Sequence, residues 1–163
     1  MTRKVFFSFH YERDAVRAAQ VRNSNVVQSK SINTSDFIDA AKWEEVKKNG
    51  EEVVKKWILD QLNGTSVTVV LIGSETANRK WIKFEIDESR KKGNGLLGVY
   101  IHQCKDFEGK IDKKGENPFS RLYITQSDGS RKYLSEIYKT YDWVDDNGRE
   151  KLGDWIEEAY NTK

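Results

Sequence analysis

The chain has 163 residues, 37% of them hydrophobic and 33% charged, with seven Phe, seven Tyr and five Trp. That length and apolar content suit one domain around a continuous core and exclude a disordered chain. A formal net charge of +2, with both signs interspersed, supplies no long-range positive field, so neither nucleic acid nor a membrane surface is an expected partner.

Cys104 is the only cysteine, which excludes an internal disulfide and fits a reducing compartment. No signal peptide is legible at the amino end, and no apolar run approaches the roughly 18 residues of a membrane span. The expected location is cytoplasmic.

In chain order, Val5, Phe6, Phe7, Ser8 and Phe9 form a short apolar run bounded by charge, the pattern of a strand buried on both faces. Asp14 is placed to cap a helix reaching about Arg22. Val26 and Val27 are read as a short second strand, and residues 33–36 as a loop rich in cap-forming side chains. From Asp39 a helical region runs to Leu62, interrupted near Asn49 and Gly50, with Val53, Val54, Trp57, Ile58 and Leu62 on one stripe. Residues 66–72, uncharged and dense in β-branched side chains, are the clearest strand. A loop at 73–78, a helix at 79–92 and a buried strand at 96–101 follow.

Residues 103–133 accumulate Gly, Lys, Asp and the only proline, Pro118, without sustained periodicity. They read as an irregular insertion with a hairpin around 122–133. Residues 141–144 are the final strand, and Leu152, Trp155, Ile156 and Ala159 mark the final helix. Strands separated by helices imply right-handed crossovers and one parallel sheet. The expected architecture is therefore a single three-layer, doubly wound α/β domain over residues 1–163, with about five strands in the order 2-1-3-4-5. Ligands of such sheets bind beyond the carboxyl ends of the strands, where the sheet switches direction. Ser8, Phe9, His10 and Tyr11 should meet Gly73 and Ser74 there.

The helix at 79–92 places Trp81, Ile82, Phe84 and Ile86 on one apolar arc with Glu85 in its middle. An unpaired carboxylate buried there would cost several kcal/mol, so it must be protonated, paired or facing a cavity. The same pattern also fits a glutamate at the edge of the packed face that reaches solvent or a lysine. His10 and Tyr11 carry hydrogen-bonding tips on aromatic bodies, suited to a nicotinamide or adenine ring and equally to satisfying loop backbone.

Other motifs fail on context. Gly93, Gly95 and Gly98 match G-x-G-x-x-G, but the motif follows a helix and enters a strand, the reverse of a dinucleotide-binding turn. His102 and Cys104 give at most two zinc ligands, so no metal is expected. A serine-hydrolase elbow and a Walker loop are both missing, and strand one lacks the acidic pair of a phosphoacceptor receiver.

Several segments together carry a resemblance: the residues 5–11; Ile38, Asp39, Ala40 and Ala41 with Trp43 and Glu44; the residues 65–74; Asn78 and Arg79 with Trp81 and Glu85; Lys92, Gly93 and Asn94; and Tyr141, Asp142, Trp143 and Val144. On these the chain resembles, nearly end to end, the TIR-like family typified by the TIR subunit of the Thoeris anti-phage system. The resemblance implies a flavodoxin-like TIR fold. It also implies an enzyme that consumes NAD as substrate, with no cofactor, and makes an ADP-ribose-type signal, often cyclic, for a partner effector protein. Glu85 matches the catalytic glutamate of TIR enzymes. Many TIR domains have Trp-Cys before that glutamate; here Ile82 follows Trp81, which points to the TIR-like branch.

On that reading Phe9, His10 and Tyr11 line the nicotinamide end, Ser74 and Trp81 support the ribose, and Asp39 with Trp43 belongs to a loop and helix that close the pocket. Assembly into a homo-oligomer fits the same family. A rival reading is a non-catalytic signalling module in which Glu85 is a surface or interface acid. A phosphate-binding hydrolase would need a glycine cradle for which only Gly73 is available.

Overall fold

Strand β1 (Arg3–Ser8) is buried from Val5 onward and lies inside the sheet, pairing in parallel with β2 (Ile32–Thr34) on one side and β3 (Val67–Ile72) on the other. The computed structural model describes residues 3–24, 32–34 and 40–163. Strand β4 (Gly95–Tyr100) continues the sheet beyond β3, and β7 (Thr140–Asp142) closes it, so the order is β2-β1-β3-β4-β7 with every pairing parallel. This is the doubly wound α/β arrangement expected from the alternation of strands and helices.

The second strand differs from the sequence reading. It occupies part of the stretch read as a loop, and Val26 and Val27 lie outside the described residues. Three residues are too few to show a periodic pattern. Pairing with Arg3, Lys4 and Val5 of β1 defines β2, and no side-chain signal could have done so.

Helix α1 (Ala15–Arg22) starts after Asp14, but the Asp14 carboxylate makes no cap bond. Both its oxygens are buried without a hydrogen-bond partner. Burial raises its pKa to about 6, with Arg13 and Arg17 opposing the shift. Gly73 explains how β3 approaches so closely, since a Cβ there would lie 2.1 Å from Asp14 Oδ2.

Helices α2 (Ala40–Lys47) and α3 (Glu51–Leu62) are separated at Gly50, whose φ of 95° lies in the left-handed region open to glycine. Helix α3 buries Val54, Ile58 and Leu62, while Val53 is 43% exposed, so the packed stripe is narrower than its apolar residues suggested. Helix α4 (Lys80–Lys92) follows a 3₁₀ turn at Thr76–Asn78 and ends at Gly93 in a left-handed cap. Helix α5 (Gly148–Asn161) buries Leu152, Trp155 and Ile156.

The insertion is anchored at defined points. Its hairpin pairs β5 (Tyr123–Thr125) with β6 (Arg131–Tyr133), and Phe119 of the 3₁₀ turn Pro118–Ser120 is fully buried. Phe119 packs with Val70, Ile72, Ile82, Ile86, Leu96 and Leu134. Arg17 Nε donates to Cys104 O at 2.8 Å, and Arg13 Nη2 meets Asp112 Oδ2 at 2.8 Å, so α1 and the turn before it hold the insertion down. Among the described residues no helix is long and apolar enough to cross a membrane.

Candidate active site

The site grows from the last residue of β1. Ser8 sits opposite Val70 in the β1–β3 ladder, so the sheet fixes the direction of its Cα–Cβ bond. The chain then turns at residues 9–14, where Arg13 N–H and Asp14 N–H both donate to His10 O, at 3.2 and 2.8 Å. Tyr11 lies in that turn. Across from it, α4 presents its apolar arc with Glu85 at the centre, fully buried.

Glu85 is paired with two hydroxyls. Ser8 Oγ donates to Oε1 at 2.8 Å and Tyr11 Oη donates to Oε2 at 2.8 Å. Burial raises the Glu85 pKa to about 8, and the two hydrogen bonds pull in the opposite direction without cancelling it. Burial and the adjoining carboxylate push the Tyr11 phenol up as well. The carboxyl therefore rests mainly protonated at neutral pH. Nothing here resembles a rim glutamate reaching for solvent or for a lysine, and a surface acid of an assembly module is likewise not what Glu85 is.

A cavity of about 180 Å³ adjoins this pair. It gathers Phe9, His10, Tyr11, Trp43 and Trp81, which the sequence reading had spread over three segments, together with Glu12, Lys47, Arg79, Lys80 and Ile82. The rings pack on one another: the Tyr11 centroid is 4.5 Å from Phe9 and 4.6 Å from Trp43, while Trp81 meets Phe84 edge-on at 5.7 Å. Burial, reinforced by Arg79, lowers the His10 pKa and so favours the neutral imidazole. Glu85 does not line the cavity. It lies behind Tyr11.

One predicted residue is placed elsewhere, and another is not described. Ser74 Oγ accepts from Arg13 Nε at 2.9 Å and donates to Asp112 Oδ2 at 3.2 Å, in a cluster that ties the insertion to the β1 turn. Asp39 lies outside the described residues. The sequence reading also missed contributors. Ser8 was seen only as a hydroxyl at the crevice, although its strand position already implied an inward side chain. Glu12 accepts from Trp43 Nε1 at 3.1 Å and pairs with Lys47. Lys47 stands four residues after Trp43, a helical spacing that could have flagged it. Among the described residues no cluster of three His, Cys, Asp or Glu could hold a metal ion.

The family profile described as "Thoeris protein ThsB, TIR-like domain" matches residues 6–106. A protein of Bacillus cereus (strain MSX-D12) named "Putative cyclic ADP-D-ribose synthase ThsB1" is 36% identical over 191 aligned positions, covering 96% of this chain and 100% of that protein. Among solved structures, the IL-17 receptor B SEFIR domain superposes with a TM-score of 0.53 at 11% identity, covering 99% of this chain and 96% of that one, a likeness of fold alone. The matched span contains Ser8, Tyr11 and Glu85 and every residue that lines the adjoining aromatic cavity. The chain belongs to the Thoeris ThsB TIR-like family.

Proposed function

We propose that this protein consumes NAD, breaks its nicotinamide–ribose bond against Glu85 and closes the freed ribose onto a nucleophile of the same molecule. The product is a cyclic ADP-ribose that serves as a diffusible signal for a partner effector. One observation carries the reading: a fully buried carboxyl, held by two hydroxyl donors beside an aromatic cavity. The relative's name, a cyclic ADP-D-ribose synthase, supports the same chemistry.

As the bond between ribose C1′ and the pyridinium nitrogen breaks, its electron pair leaves with nicotinamide and the ribose becomes oxocarbenium-like. A carboxylate close to that sugar offsets the developing charge and orients its hydroxyls. An adenine nitrogen or a hydroxyl of the same molecule then donates its lone pair to C1′ and releases a proton. Aromatic walls that exclude water favour this capture over hydrolysis. The reaction is balanced without a cofactor or metal, NAD being the substrate.

Phe9, His10 and Tyr11 meet the nicotinamide end, Trp81 supports the ribose, and Lys47, Arg79 and Lys80 at the cavity place positive charge for the diphosphate. Trp43 covers the cavity, and Asp39 is included among the substrate-binding residues of this reading. Ser74 acts at one remove, by steadying the β1 turn through Arg13. The same reading places the protein in the cytoplasm and includes assembly of several copies.

The test is to incubate purified protein with NAD in ¹⁸O-labelled water and follow products by mass spectrometry. The expected result is one nicotinamide per cyclic product and no ¹⁸O in that product. Labelled linear ADP-ribose as the main product would replace cyclisation with hydrolysis. No nicotinamide release, even with infected-cell lysate added, would end the NAD reading.

A further inference from the structure

We propose that Tyr11 is a gate over Glu85: its hydroxyl holds the position that a ribose hydroxyl of the substrate takes during turnover, and the protein rests closed until the Tyr11 ring moves. The inference rests on the reading of Glu85 as the carboxylate that meets the ribose. It adds how access to that carboxylate is controlled.

The two donors on Glu85 are unlike. Ser8 belongs to β1, whose ladder holds its backbone and Cβ in place, so its hydroxyl stays within reach of Glu85 in any conformation that keeps the ladder. Tyr11 lies in the turn three residues later, where side-chain packing and no strand pairing holds its ring. One contact is therefore fixed and the other can be released. Glu85 has 0% exposure and no part in lining the cavity, whereas Tyr11 lines it and bonds to Glu85 from the cavity side. A substrate entering the cavity reaches phenol before carboxylate. At about 180 Å³ the cavity is also smaller than the roughly 300–1,000 Å³ usual for small-molecule sites. Displacing the Tyr11 ring enlarges the cavity and bares the carboxylate in one movement.

The closure is fastened from the other side by α2. Trp43 on α2 packs its ring on Tyr11 at 4.6 Å, and Trp57 of α3 approaches edge-on at 6.0 Å. Glu12, next to Tyr11 in the chain, accepts from Trp43 Nε1 and pairs with Lys47 of the same helix. The Glu12 and Lys47 side chains are 42% and 34% exposed, so their pair is a solvent-screened contact that an incoming phosphate can displace. A diphosphate drawn to Lys47 would free Glu12, loosen α2 and lift Trp43 from the Tyr11 ring. A dinucleotide thus has the differential contact with closed and open forms that a ligand-driven shift requires.

The experiment measures access to Glu85 separately from turnover. Wild type, Tyr11→Phe and Trp43→Ala are treated with a water-soluble carbodiimide and glycinamide at pH 6, and modification of the Glu85 peptide is followed by mass spectrometry alongside nicotinamide release from NAD. Glu85 of the wild type should resist modification under conditions that label Glu52, whose side chain is 89% exposed. Tyr11→Phe leaves a buried carboxyl oxygen without its donor, which should favour the open form and speed labelling about tenfold. Basal nicotinamide release should rise by a similar factor. Trp43→Ala keeps both hydrogen bonds and removes the cover, so it should also speed labelling and carries the test if Tyr11→Phe does not fold. Ready labelling of wild-type Glu85 would overturn the gate, and so would Tyr11→Phe that lowers turnover with labelling unchanged, the behaviour of a plain substrate-binding residue. Faster labelling in both variants with no nicotinamide release from any protein would leave Tyr11 controlling access to Glu85 and refute the NAD reading instead.

Discussion

Glu85→Gln will lower NAD cleavage by about three orders of magnitude, the scale lost when one preorganised electrostatic group is removed from a developing charge. It will also raise the melting temperature. Gln keeps the shape of the side chain, its carbonyl can accept from one of the two hydroxyls that now bond Glu85, and its amide can donate to the other. What disappears is an ionisable group in a site that disfavours the charge. The folded pKa of about 8 stands above the 4.5 of an unperturbed glutamate, so the native state keeps a proton that the unfolded chain has lost. Its contribution to stability is fully present below about pH 4.5 and is lost as pH rises through about 8. The amide suffers no such loss. Relaxation around a buried charge tempers the effect to about 2 kcal/mol, or roughly 4–8 °C for a domain of this size. Melting curves should therefore coincide for the two proteins near pH 5 and separate near pH 8, with the inactive variant the more stable.

Ser8→Ala should have the second largest effect. The Ser8 hydroxyl favours the charged form of Glu85, and its removal pushes the carboxyl pKa further up. If catalysis needs the anion, kcat/KM of the wild type rises with pH towards a plateau above about 8, and the Ser8→Ala profile is displaced to higher pH. Loss of a charge-assisted hydrogen bond should lower kcat/KM roughly 10- to 100-fold at pH 7. Alanine leaves the β1 pairing with Val70 intact, so the fold should survive. A residue with a merely structural role would lower activity equally at every pH, and a profile of unchanged shape would count against Ser8 as the group that positions Glu85.

Why some of this was legible beforehand follows from particular residues. Glu85 stood out because a carboxylate amid Trp81, Ile82, Phe84 and Ile86 breaks a helical pattern that packing would otherwise fill with apolar side chains. β3 was clear because a strand buried on both faces has no room for charge, and Val67–Ile72 has none. β2 was not, since a three-residue edge strand is defined by its partner β1, and pairing is not written in local side chains. The insertion was equally opaque. Its anchors are Arg13 and Arg17, nearly 90 or more positions away in the chain, and two of the acceptors are backbone carbonyls that any residue type supplies. Ser74 shows the same limit: its place at the strand end was read correctly, but its engagement by Arg13 and Asp112 depends on a contact formed only in three dimensions. The pairing of Ser8 and Tyr11 with the two oxygens of one carboxyl combines both cases, a legible crevice and an illegible hydrogen-bond pattern.

The proposed chemistry requires that the ribose of NAD meet residue 85. A crystal structure of the Glu85→Gln variant with intact NAD bound tests this most directly. The expected structure has a hydroxyl of the nicotinamide ribose within about 3 Å of the residue 85 side chain, next to Ser8, with the Tyr11 ring swung out of its present place. Dinucleotide bound with its glycosidic bond remote from residue 85, and Tyr11 still seated on it, would contradict the claim that this buried acid performs the chemistry.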